Sequence, residues 1–132
     1  MSVLSKEIKE LLHHIADHED GKITAEISFP KNFTGFEGHF PGKPVVPGVC
    51  KVLSVVALLE LSSKQKVYLR TIVLSKFMLP VTCQEKLTIE LRRETKSGTL
   101  VRVKALFRSA DKKVADIQIE VDYERSGFSA NT

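Results

Sequence analysis

The sequence predicts an α+β fold in which one long, largely apolar helix is held against an antiparallel sheet. Three observations carry this. Residues 48–62, GVCKVLSVVALLELS, contain no proline and no internal glycine. Their apolar residues cover most of the helical circumference, the pattern of a helix buried on several sides. The second half of the chain alternates apolar and polar residues with the period of two that a half-buried strand requires. The short stretches KSG and SADKK separate the last three alternating runs, so those strands should be antiparallel neighbours.

Each element follows in order. Val3, Leu4, Ile8, Leu11, Leu12 and Ile15 recur at helical spacing, with Ser5 placed to cap the start and Gly21 beyond the end. This predicts an amphipathic helix over residues 4–16. In KITAEISF, Ile23, Ala25, Ile27 and Phe29 alternate with Thr24, Glu26 and Ser28, which predicts a strand ended by Pro30. Residues 35–47 hold too many glycines and prolines for either element. The central helix, 48–62, comes next. VYLRTIVLSKFM reads as a strand closed by Pro80. KLTIELRRET turns Leu87, Ile89 and Leu91 to one face. LVRVKALFRS does the same with Val101, Val103, Ala105 and Phe107, and VADIQIEVDY with Ala115, Ile117, Ile119 and Val121. Residues 126–132, SGFSANT, read as a disordered tail. The whole chain, 1–132, is expected to form a single domain. One sheet cannot cover a helix that is apolar all round. A second copy is expected to do so, giving a homodimer or a higher assembly such as a trimer of dimers.

Composition bounds the function. A chain of 132 residues can bury a core without metal or disulfide staples. Hydrophobic residues at 42% and charged residues at 27% describe a globular chain rather than a disordered one. A net charge of +4 is too small to argue for a nucleic-acid partner. Cys50 and Cys83 lie far apart and form no CxxC pair, which suits reduced thiols in a cytoplasmic protein without a zinc site. No apolar run reaches the roughly 18–20 residues of a membrane span, and the first residues do not have the pattern of a signal or transit peptide. There is no P-loop, GxGxxG or GxSxG, so no cofactor is expected. His14 and His18 stand at i, i+4 and could hold a metal on one helix face. Without a clear third ligand they read as a polar helix end.

The segment GFEGHFPGKPVVPGVCKVL, residues 35–53, gathers three of the five prolines and four of the seven glycines around His39. Pro41, Pro44 and Pro47 each fix a backbone angle, so the loop can hold an imidazole with little loss of entropy. Gly48 and Val49 begin the helix. Their amide N–H groups should be free and point outward at the positive end of its dipole, where a thioester carbonyl would be polarised.

Within this segment GHFPGKPVVPGV, residues 38–49, resembles the signature of the 3-hydroxyacyl-acyl-carrier-protein dehydratases of fatty acid synthesis, which have the hot-dog fold. LSKFMLPVTCQEKLTIEL also resembles the family segment in which a K-F-x-x-P-V run precedes a long strand. The likeness extends from about Gly21 to Tyr123. It implies that a sheet wraps the central helix and that the substrate is an acyl thioester on acyl carrier protein or coenzyme A. It implies His39 as the base that takes a proton from C2, with Gly48 and Val49 binding the thioester oxygen. It further implies that Phe40, Pro47, Leu53 and Val56 line the acyl site. Lys43, Lys51, Lys64, Lys66 and Arg70 could meet the acidic surface of a carrier protein or be a merely solvated set of cations.

One position departs from the pattern. The family places Glu or Asp fourteen residues after the histidine, on the central helix, to protonate the leaving hydroxyl. Here that residue is Leu53. Glu60 lies about 10.5 Å further along the helix, at ~1.5 Å per residue, and reads as solvent-facing. Glu37 could orient His39 or be solvated. Cys50 and Ser54 flank Leu53 as packing residues, and Lys51 is expected at the surface. Lyase activity of the dehydratase type is the leading expectation. The alternatives are a one-base enoyl isomerase or thioesterase, and a non-catalytic or partner-dependent subunit that pairs with an active homologue.

Overall fold

Alternation builds the sheet. The computed structural model describes residues 3–36 and 44–124. Along the chain these are α1 (Val3–Leu11), β1 (His13–Asp17), β2 (Lys22–Ile27), a 3-10 turn (Thr34–Phe36), α2 (Gly48–Ser63), β3 (Val67–Phe77), β4 (Leu87–Ser97), β5 (Leu100–Ser109) and β6 (Lys112–Tyr123). Among the described residues the strands form one antiparallel sheet in the order β1-β2-β4-β5-β6-β3. Registers match the apolar residues of neighbouring strands. Ala25 pairs with Ile89, Ile89 with Phe107, Phe107 with Ala115, and Ala115 with Phe77. The first four of these are buried, and they form one core with Val52, Val55, Leu58 and Leu59 of α2. Burial of such a row is the main force holding helix to sheet.

The predicted helix over residues 4–16 is shorter in the structure. Helix α1 ends at Leu11, and His13–Asp17 form strand β1 on the edge of β2. Helical periodicity and tertiary demand part company here. Ile8 and Leu12 are buried, but Ile15 is exposed. Backbone pairing with the otherwise open edge of β2 decides the conformation of the residues beyond Leu12. Ser5 consequently lies inside α1 rather than at its cap, and Gly21, at φ +84°, makes the β1–β2 turn rather than a helix stop. That left-handed angle suits glycine, and the turn is closed by its N–H donating to the His18 carbonyl at 3.0 Å. The expected tail, residues 126–132, lies outside the described residues.

Strand β3 differs from its neighbours. It pairs with β6 alone, and all its residues except Val67 are exposed. Among the described residues no helix is long and apolar enough to cross a membrane.

Candidate active site

The start of α2 is built by proline, glycine and an aromatic ring. Pro47 occupies the N-cap in an extended conformation, φ −61° and ψ 148°, and no side chain caps the helix. The chain leading into it is tied down by the Val46 N–H, which donates to the Val81 carbonyl at 2.8 Å. Cys50 N–H is the first in the helix to find an acceptor, the Pro47 carbonyl at 3.0 Å. Gly48 and Val49 precede it, and their N–H groups have no acceptor among the described residues. They stand at the positive end of a 16-residue helix. A Cβ on Gly48 would lie 2.6 Å from Cε2 of Phe77, so the ring packs directly on this backbone. Phe77 ends the cross-sheet row described above, which places the helix start at the open edge of the sheet.

Lys51 corrects the expectation of a surface lysine. It is 3% exposed. Its Nζ donates to the Val46 carbonyl at 3.4 Å and sits 5.1 Å from the centre of the Phe77 ring. Desolvation holds its pKa below the ordinary lysine value, against the opposing pull of Cys50 and Glu85. The long aliphatic stem explains how a charged residue occupies an apolar helix: the stem packs while the head reaches a carbonyl and a ring. Beside it, burial pushes the Cys50 thiol up. The Ser54 hydroxyl is engaged with the Cys50 carbonyl at 2.7 Å.

Val49, Leu53, Val56 and Glu60 recur at helical spacing on the remaining face of α2. Val49 is 60% exposed, and Leu53 and Val56 are only half-buried against the core. Glu60 is not the solvent-facing residue the sequence suggested. Its carboxylate accepts from Lys9 Nζ at 2.7 Å and from the Val67 N–H at 2.8 Å. It is therefore committed to joining α1, α2 and β3, and cannot stand in for the acid at Leu53.

The structure thus brings Pro47, Gly48, Val49, Leu53 and Val56 together on one end and one stripe of α2, while His39 and Phe40 lie outside the described residues. Glu37 and Lys43 lie outside them as well. Lys64 and Lys66 sit at the opposite end of α2, roughly 24 Å from its start at ~1.5 Å per residue. Arg70 is paired with Asp122. Sequence reasoning missed the Phe77 contact and the burial of Lys51. A lone cation in an otherwise apolar turn was the available signal for the second. The helix premise for His14 and His18 also fails, since β1 carries His14 beside Glu26 and His18 bonds Thr24. The outer face of the sheet is polar: a depression of about 250 Å³ there is lined by Glu90, Arg92, Lys104 and Asp116 among others.

A long apolar helix packed on one antiparallel sheet, with Pro47 and Gly48 at its start, is the arrangement of the hot-dog fold. The dehydratase heterocomplex ApeI:P from Xenorhabdus doucetiae has this fold, with a TM-score of 0.67 over 84% of this chain and 96% of that one, at 18% identity. The chain belongs to the ApeI-like dehydratase family, whose model, described as ApeI dehydratase, matches residues 15–120. It is 35% identical over 92 residues to the 3-hydroxyacyl-[acyl-carrier-protein] dehydratase FabZ of Bartonella henselae, covering 64% of this chain and 59% of that protein. The chain thus spans less than two thirds of that relative. The FabZ of Helicobacter hepaticus is 30% identical over 132 residues, covering 89% of this chain and 78% of its own length.

Proposed function

We propose that the protein dehydrates 3-hydroxyacyl thioesters carried by acyl carrier protein, or by coenzyme A, in fatty acid or related acyl-chain synthesis. The observation that carries this reading is the start of α2: two adjacent N–H groups, Gly48 and Val49, without acceptors among the described residues and at the positive end of the long central helix. In the proposed reaction His39 takes a proton from C2. The electron pair moves toward the thioester, whose oxygen gains charge between the Gly48 and Val49 amides. The C2–C3 double bond forms as the C3–O bond breaks, and the hydroxyl leaves as water with a proton passed on from the His39 imidazolium. Pro47, Phe40, Leu53 and Val56 hold the acyl chain beside this point. The role of His39 rests on the loop motif and the family relationship.

The proton for the departing hydroxyl has no carboxylate donor at residue 53. Leu53 is only partly buried, in register along α2 with Val49, which is 60% exposed, and strand β3 is exposed as well. This favours a second reading, in which a partner subunit covering the stripe completes the site. Both readings are tested by assaying 3-hydroxyacyl-carrier-protein turnover by the pure protein. His39→Ala is expected to abolish turnover, and an unchanged rate overturns His39 as base. Leu53→Glu is expected to raise the rate, since a positioned general acid is worth about 10²–10⁴. Efficient turnover by the wild-type homo-oligomer rules out the partner-dependent subunit.

A further inference from the structure

We propose that His13, His14 and Glu26 form a binding site for a divalent transition-metal cation of the zinc type, on the outer side of the β1–β2 edge. One nitrogen of each histidine and one oxygen of Glu26 lie within 4.8 Å of one another. His14 Nδ1 is 2.8 Å from Glu26 Oε1, and His13 Nε2 is 3.5 Å from the same oxygen. Ligand atoms around a tetrahedral zinc stand roughly 3.3 Å apart for bonds near 2.0–2.1 Å, so small side-chain movements admit an ion.

Two independent features indicate a built cluster rather than a chance meeting. Neighbouring residues on a regular strand point to opposite faces. Here β1 carries a bulge: His13 faces Glu26 and Ala16 faces Thr24, so three steps on one strand match two on the other. His14 takes the left-handed conformation, φ 53°, within this bulge. The bulge brings both rings to one carboxylate. Second, His13 Nδ1 lies 3.0 Å from the Leu11 carbonyl. A carbonyl only accepts, so Nδ1 carries a proton, and Nε2 is the nitrogen turned toward Glu26, where it would bind the ion in place of a proton. A ligating histidine held in this way by a backbone carbonyl is the usual outer support of a metal site. His14 would bind through Nδ1 and carry its proton on Nε2. Water would fill the remaining positions. Lys86 Nζ is 3.5 Å from the other carboxylate oxygen, Oε2, and can keep that contact while Oε1 binds the ion. The ion would clip the edge strand β1, and with it α1, to β2.

The test uses the full chain without an affinity tag, stripped with chelator. Zinc is titrated by calorimetry, and cobalt(II) is followed by its visible absorption. The expected result is one ion per chain, a rise in melting temperature with zinc, and at least about tenfold weaker binding in Glu26→Gln and in His14→Ala. His18→Ala, whose ring is engaged with Thr24, should bind as wild type does. Melting of each variant without zinc shows whether it folds, so that a lost ligand is told from a lost fold. Absence of saturable binding overturns the site. So does binding that survives Glu26→Gln and His14→Ala but disappears with Cys83→Ser.

Discussion

Lys51 sits in the first turn of α2, almost fully buried, with the Val46 carbonyl and the Phe77 ring at its head and the more distant pull of Glu85 opposing its desolvation. Burying a charge with so little compensation costs stability. Lys51→Met is expected to be more stable than wild type by on the order of 1 kcal/mol near pH 7. The sign of the pH dependence follows from the lowered pKa. Between that value and the ordinary lysine value, the unfolded chain binds more protons than the folded one, so wild-type stability rises with pH. Below this window both states are protonated and the full penalty persists. The gap between Lys51→Met and wild type should therefore be widest at neutral pH and narrow toward pH 10.5, the ordinary value. Urea denaturation of both proteins from pH 7 upward measures it. A constant gap would show that Lys51 does not lose its proton more readily in the fold.

At the scale of elements, Glu60 joins three of them. It binds Lys9 of α1 and the first N–H of β3 from the last turn of α2. Hydrogen bonds to a charged group contribute about 1.5–3 kcal/mol each, and the side chain is well shielded from water. Glu60→Ala is expected to lower unfolding stability by roughly that amount. Lys9→Met should cost less, because the bond to Val67 remains. Equal losses in urea denaturation would mean that the Val67 contact contributes nothing. The same region shows where local reading stops. The spacing of Leu11, Leu12 and Ile15 is compatible with a helix. Pairing of His13–Asp17 with β2, which no local pattern encodes, makes the segment a strand. By contrast β4, β5 and β6 were legible because a period of two over ten or so residues already states which face is buried.

For the whole molecule, the open edge governs. Strand β3 exposes Tyr68, Leu69, Ile72, Val73, Leu74 and Phe77, and Val49 of α2 is exposed at the same end as Phe77. An eleven-residue apolar edge strand is a template for pairing with another chain. The protein is expected to sediment as a dimer or larger species. Ile72→Lys, placing a charge at a residue that is 50% exposed in the single chain, should shift it toward the monomer. Unchanged sedimentation would place the contact elsewhere. Sequence alone determined the buried helix, the alternating strands and the glycine–proline approach to Gly48, because each is written in local spacing and backbone chemistry. It also located the unusual residue, Leu53, by counting from His39. Tertiary structure alone decided that Gly48 must be bare to accept the Phe77 ring, that Lys51 is buried, that Glu60 is committed to its neighbours, and that two adjacent histidines meet one carboxylate. Each of these depends on contacts between residues distant in the chain, and composition and periodicity do not contain them.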